Sequence, residues 1–196
     1  LGRTFSLLYA DPPWRYESPG SDSRAIENHY PTEAHEDICA LDVTSVAAEN
    51  AILFMWTTPP KIAEAVRVLD AWGFDFRTSM VWDKEKMGPG YYVRQQHELL
   101  FIAIKGDMPL PDPTVTRRQR SVVRIEREGH SEKPDFFYDM IDRMYPTLTK
   151  LELFARDGNR PGWAIAWTAS GRAPRGRSQR PICRTPSGSS SRKTSA

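Results

Sequence analysis

Apolar residues along this chain fall into short blocks divided by turn-forming residues, and the blocks alternate between two periodicities. Leu7 to Ala10 is a compact apolar run broken at once by Asp11-Pro12-Pro13, which predicts a buried strand delivering a rigid turn at its C-terminal end. Ser18 to Asn28 is polar and predicts a loop, and Glu33 to Leu41 predicts a helix. Ala51 to Trp56, with Ile52, Leu53 and Phe54, predicts a strand buried on both faces. From Pro60 to Trp72, residues Ile62, Ala65, Val66, Leu69 and Trp72 recur at spacings of three and four, the stripe of an amphipathic helix that ends at Gly73. Phe76 to Trp82 and Leu99 to Ile104 predict strands, and Gly88, Pro89 and Gly90 mark a loop over Met87 to Tyr92 between them.

Proline and acid dominate Gly106 to Thr116, and Ser121 to Ile125 predicts a brief strand before a turn at Gly129-His130. Pro134 opens a helix running to about Met144, with Phe137, Ile141 and Met144 as its buried stripe. Lys150 to Phe154 is the last predicted strand. Strands and helices alternating through one domain predict an α/β fold with a mostly parallel central sheet flanked by helices. Its active site belongs at the C-terminal edge of the strands, where Asp11 and Arg156 both follow predicted strands.

A length of 196 residues suits one core, assigned to residues 1–168. The remainder, 169–196, is rich in Ser, Arg, Pro and Gly and is expected to be disordered. A basic arm gripping phosphate and a shifted reading frame are the alternative accounts of this tail. The net charge of +2 hides a division: seven basic residues and no acid lie after Trp167, leaving the body with 20 basic against 25 acidic residues. A globally basic coat for nucleic acid is thereby excluded, and local basic patches become the relevant feature. The apolar runs fall well short of the ~20 residues that cross a bilayer, so neither a membrane span nor a signal peptide is expected. Cys39 and Cys183 supply neither a disulfide framework nor a zinc site, which fits a reducing, cytoplasmic setting. The four histidines, His29, His35, His97 and His130, lack metal-ligand spacing, and no metal is expected. The chain opens on Leu1 and reaches strand-like sequence by Phe5, as a fragment of a longer protein would.

The segment Asp11-Pro12-Pro13-Trp14 carries the most specific chemistry. The exocyclic amine of adenine is a poor nucleophile because its lone pair is delocalised into the ring, so a catalyst acting on it needs acceptors aimed at its two protons. Asp11 supplies a carboxylate, Pro12 a carbonyl without a competing donor of its own, and the Pro12-Pro13 pair stiffness. Trp14 offers a face on which a flipped base can stack. The plainer reading is a proline turn after a strand, with a tryptophan plugging the core.

These residues, with Asn28-His29-Tyr30-Pro31-Thr32, Phe54 to Trp56, Gly106 to Leu110, His130 to Asp135 and Leu151 to Arg156, resemble the MT-A70 family of adenine N6 methyltransferases, particularly its bacterial and phage DNA-modifying branch. The resemblance covers most of residues 5 to 163 and implies a Rossmann-like fold that takes S-adenosylmethionine and methylates adenine in DNA. It implies that Asp11 lies near both the target amine and the cofactor, that Lys133 reaches the same site, and that Glu152 accepts hydrogen bonds from ribose hydroxyls. Arg156 and Asn159 would line the adenosine pocket, with Phe154 packing beside them; Tyr30 would lie over the mouth, and Glu98 near the base. Without the family, Lys133 reads equally as a solvated residue before a helix, and Glu152 as a strand-edge charge paired with Lys150 or Arg156. Arg117, Arg118, Arg120, Arg124 and Arg127 crowd one stretch where they could meet the phosphate backbone or simply form a solvated face.

Two departures stand out. After Gly162-Trp163 the family's polar cofactor residues are replaced by Ala164-Ile165-Ala166-Trp167, and only nine residues precede Ala10. A catalytically silent nucleic-acid-binding or dimer-scaffold subunit is therefore the rival reading, an RNA adenine methyltransferase a second, and homodimer or heterodimer formation stays open.

Overall fold

The computed structural model describes residues 3–16, 33–90, 92–116, 119–126, 133–155 and 160–166. The predicted loop over Ser18 to Asn28, the turn at Gly129-His130 and the tail from Ala169 lie outside them.

Seven strands form one sheet in the order β5-β3-β4-β2-β1-β6-β7. They are β1 (Phe5–Ala10), β2 (Ala47–Thr57), β3 (Asp75–Asp83), β4 (His97–Lys105), β5 (Val122–Arg124), β6 (Lys150–Leu153) and β7 (Trp163–Ala166). Their helices are α1 (His35–Cys39), α2 (Ile62–Ala71), α3 (Pro113–Thr116) and α4 (Asp135–Met144). Strand β4 runs antiparallel to both β2 and β3, while the other pairings are parallel. The predicted mostly parallel α/β sheet is thus the observed one.

Strand β1 is the keystone because it is paired on both sides, with Leu8 opposite Leu53 of β2 and Leu151 of β6. Alternation along β1 and β2 divides the core into two layers. Leu8, Ala10, Leu53 and Met55 meet Ala65, Val68 and Leu69 of α2 and Ile38 of α1. Leu7, Tyr9, Ile52, Phe54 and Trp56 meet Phe137, Met140 and Ile141 of α4 on the opposite face.

Several expectations need correction. The buried stripe of α2 is Ala65, Val68 and Leu69, continued by Trp72, whereas Ile62 and Val66 are 41% and 40% exposed. Apolar residues occupy both stripes, so periodicity alone could not choose between them; docking on the sheet chose. In α4 the stripe is filled by Met140 as well as Phe137 and Ile141, and Met144 sits at its partly covered end. The predicted helix from Glu33 to Leu41 shrinks to the five residues of α1. The predicted terminus of α2 holds: Gly73 takes a φ of 74°, and the Phe74 amide reaches back to the Leu69 carbonyl at 2.9 Å, closing the helix end. At the end of β4, Gly106 has a φ of 66° and a Cβ there would stand 2.3 Å from Asn50 Oδ1, so the turn admits only glycine.

Strand β7 was not predicted. Residues Ala164-Ile165-Ala166, which break the family's polar pattern, extend the sheet in parallel register beside β6, with Trp163 opposite Lys150 and Ala166 opposite Leu153. Trp163 anchors this edge by donating its indole N–H to Asp142 of α4 at 3.2 Å. Four residues are too few for periodicity to reveal a strand. Among the described residues no helix is long and apolar enough to cross a membrane.

The core assignment can be checked by substitution. Leu53→Ala, at a fully buried site, should lower the unfolding free energy by about 2–5 kcal/mol, whereas Val122→Ala, at a position 54% exposed, should change it by no more than about 0.5 kcal/mol; urea denaturation reads both.

Candidate active site

The site is built where the parallel strands end and the antiparallel β4 begins. Asp11 follows the last residue of β1, and its proline turn is fixed by three contacts. The Trp14 amide donates to the Pro12 carbonyl at 2.9 Å, the Glu33 amide to the Pro13 carbonyl at 3.0 Å, and the Trp14 indole N–H to the Trp56 carbonyl at 3.1 Å. Two of these contacts change the expected clamp. One lone pair of the Pro12 carbonyl is already used inside the turn, leaving the second for a ligand. Trp14 is 7% exposed and packs into the α1 and α2 layer. It holds the turn to β2 from within the core, the place that the plainer core-plug reading gives it.

Lys133, immediately before α4, is not the solvated residue that was the alternative. Its side chain is 7% exposed, with Nζ 3.0 Å from Asp11 Oδ2 and 3.2 Å from Glu98 Oε2. The same ammonium lies 5.3 Å from the ring centre of Trp56. Glu98 is the second residue of β4 and is opposite Trp82 of β3, which carries its carboxylate to the edge where β1 ends. Its other oxygen, Oε1, stands 3.1 Å from Lys84 Nζ. Burial pushes the Glu98 pKa up, but Lys133 and Lys84 pull it down more strongly, and the net position is below the ordinary glutamate range. Tyr16 closes the flank, its hydroxyl 2.6 Å from Thr58 Oγ1 just beyond β2.

A second polar chain runs beneath this edge. The Trp56 indole N–H donates to the Tyr9 hydroxyl at 2.6 Å, the rings of Tyr9 and of Tyr138 in α4 lie 4.6 Å apart between centres, and the Tyr138 hydroxyl donates to Glu152 Oε1 at 2.7 Å. Tyr9 and Tyr138 are both held far above the ordinary phenol range, first by burial. Lys150, one of the two partners in the alternative reading of Glu152, instead meets Asp142 at 3.3 Å, while Arg156, the other, lies outside the described residues. Burial raises the Glu152 pKa; the Tyr138 hydrogen bond and Arg160 oppose this, and nearby Asp11 adds to it.

Phe154, directly after β6, is buried against Trp72 with ring centres 6.5 Å apart and planes inclined by 19°. Its φ of 66° lies in the left-handed region, an uncommon choice for a bulky residue and a mark of a turn bent to purpose. The structure therefore brings Asp11 and Glu98 together on Lys133, sets Glu152 on the same edge with β2 and β1 between it and β4, and uses Phe154 as packing. Tyr30, Arg117, Arg118, Arg156 and Asn159 lie outside the described residues. Tyr9, Tyr16, Lys84 and Tyr138 were missed. For Lys84 a signal existed, since a charged run, Asp83-Lys84-Glu85, follows a strand at the catalytic edge; the tyrosines carried none, because an apolar pattern absorbs them.

The MT-A70 family model matches residues 5–168. The type II methyltransferase M.MunI of a Mycoplasma species is 37% identical over 179 residues, which is 82% of this chain and 76% of that protein. An N(6)-adenosine-methyltransferase MT-A70-like protein of Arabidopsis thaliana is 29% identical over 170 residues, 82% of this chain and 23% of the relative. The human N(6)-adenosine-methyltransferase catalytic subunit METTL3 is 27% identical over 172 residues, 83% of this chain and 27% of the relative. An α/β sheet carrying an acid and two prolines at the end of the interior strand β1, with matches of this extent, defines a methyltransferase of the S-adenosylmethionine-dependent fold. The chain belongs to the MT-A70 family of adenine N6 methyltransferases.

The polar chain yields a titration. Because folded Glu152 holds its proton more tightly than the unfolded residue, the stability it contributes is complete below the unfolded pKa of about 4.3 and is lost as pH rises through the folded value. Glu152→Gln should flatten that decline in urea denaturation. Tyr138→Phe, which removes a hydrogen bond to the carboxylate, should move the Glu152 midpoint still higher in a carbon-13 carboxyl titration.

Proposed function

We propose that this chain transfers a methyl group from S-adenosylmethionine to the N6 amine of adenine in DNA. The observation that carries the reading is the Asp11 carboxylate, set by a doubly proline turn at the end of β1 and held 3.0 Å from the covered Lys133 ammonium. A carboxylate so fixed accepts a hydrogen bond from the target amine without reorganising, and with the second lone pair of the Pro12 carbonyl it draws the amine towards tetrahedral geometry. Asp11 is also the acceptor for the proton that the amine sheds on methylation.

The residues fit the methyl donor. Tyr138 occupies one of the roughly four lone-pair positions of the Glu152 carboxylate, so vicinal ribose hydroxyls can be accepted by the rest. Bound S-adenosylmethionine supplies the electrophilic sulfonium methyl group. Lys133 fixes the position of the Asp11 carboxylate through their 3.0 Å ion pair, and Arg156 and Asn159 are the residues proposed for the adenosine pocket.

DNA is favoured by the type II methyltransferase relative. An open groove of about 760 Å³ beside β5, lined by Gln119, Arg120, Val122, Arg124 and Phe136, offers a basic approach to phosphate, with Arg117 and Arg118 next to it in sequence. Arg124 is already engaged by Asp83 at 3.0 Å, which leaves Arg120 as the groove cation for a phosphate. The loop between β3 and β4 adds exposed Met87, Tyr92 and Val93 as candidates for reading the target. RNA is the second reading, favoured by the N(6)-adenosine relatives. A cytoplasmic setting accords with either polymer.

Mass spectrometry of nucleosides from DNA and from RNA, after incubation with the purified protein and S-adenosylmethionine, tests this directly. N6-methyladenine should appear in DNA and fall at least about a hundredfold with Asp11→Asn. Methylation confined to RNA would replace the substrate, and product in neither polymer would return the chain to the silent-subunit reading.

A further inference from the structure

Lys84, which meets Glu98 but has no role in the proposed transfer as stated above, closes the far end of the ion chain. It follows directly after β3, where its amide donates to the Gln96 carbonyl at 2.9 Å and continues the ladder one step past the last paired residues, Asp83 and His97. Asp83 stiffens the same corner through Gln96 at 2.8 Å, the Glu85 amide at 3.0 Å and Arg124 at 3.0 Å. From this fixed base the Lys84 side chain turns inward, 15% exposed, to reach Glu98 Oε1 at 3.1 Å.

We propose that Lys84 is a positioning residue for the methyl transfer, acting through Glu98 to hold Lys133 on Asp11. The four charges alternate along one line, Lys84, Glu98, Lys133, Asp11, and sum to zero. Each Glu98 oxygen takes one ammonium, so the carboxylate is balanced from both sides and Lys133 can divide itself between Glu98 and Asp11 at 3.2 and 3.0 Å. Without Lys84, a covered carboxylate keeps Lys133 as its cationic partner among the described residues. It then either draws Lys133 away from Asp11 or takes up a proton, and both outcomes disturb the group that meets the amine. The groups facing Glu98 are Lys84 from the end of β3, Lys133 from before α4, and Asp11 and Tyr16 from the segment after β1. Lys84 adds charge compensation that Tyr16, a neutral phenol, does not.

The inference rests on the function proposed above, and its test separates the two. Carbon-13 carboxyl titrations of the full chain, with Glu98→Gln to assign the signal, are compared for wild type, Lys84→Met and Lys84→Arg, alongside kcat against pH on adenine-containing DNA. Lys84→Met should raise the Glu98 midpoint by about one pH unit or more and carry the acid limb of kcat up with it, leaving KM for DNA unchanged, while Lys84→Arg restores both. A folded Lys84→Gln protein serves the same comparison should Lys84→Met not fold. An unmoved Glu98 midpoint, or a moved midpoint with a wild-type kcat profile, overturns the inference. Absence of methyladenine from the wild-type reaction overturns the functional reading instead, while the carboxyl titration, which needs no turnover, still decides whether Lys84 holds the chain.

Discussion

The ion pair between Lys133 and Asp11 is the interaction on which the site depends, because it joins the end of β1 to the segment that enters α4. Its value is geometric more than energetic. Two covered charges recover in attraction roughly what they lose in hydration, yet removing one partner leaves the other uncompensated at a cost of about 3–5 kcal/mol. Such a pair adds little to folding and strongly penalises any arrangement in which the two segments part. Sharing Lys133 with Glu98 extends the same constraint to β4, and the Lys84 contact extends it to β3.

Sheet topology explains why four segments so far apart in sequence meet. Parallel strands β1, β2, β3 and β6 deliver the residues that follow them to one edge. An antiparallel strand delivers its beginning there instead, and so Glu98, near the start of β4, faces Asp11, just past the end of β1. The turn after β1 is then locked to β2 by the Trp14 indole. Beneath it, the Tyr9 hydroxyl takes the Trp56 indole N–H and the Tyr138 hydroxyl meets Glu152, with the two tyrosine rings in contact, so each buried hydroxyl has a partner. Unsatisfied, those groups would each cost roughly 1–3 kcal/mol. Paired, they fix where the Glu152 carboxylate stands.

Much of this was legible from residues alone. The runs around Leu7 to Ala10 and Ala51 to Trp56 were visible as strands because they are apolar on both faces, and Asp11 was visible as chemistry because two prolines stop the strand beside it. The face of α2 was not legible, since Val66 and Val68 are equally apolar and only one of them meets the sheet. The burial of Trp14 was not legible for a similar reason: an indole suits a surface or a core equally, and its neighbours in space place it in the core. Strand β7 escaped notice because it is short and owes its order to pairing with β6 and to Asp142 rather than to its own pattern.

By itself, then, the sequence determined the fold class, the position of the proline turn after β1 and the residue types available at it, because periodicity, proline stiffness and side-chain chemistry are local properties. The tertiary structure alone decided which charges are partners. Whether Lys133 is solvated or covered, whether Glu152 meets a cation or Tyr138, and whether Lys84 belongs to the site are matters of distance across the sheet edge. Electrostatic coupling depends on separation and burial, and neither exists until the strands are in register.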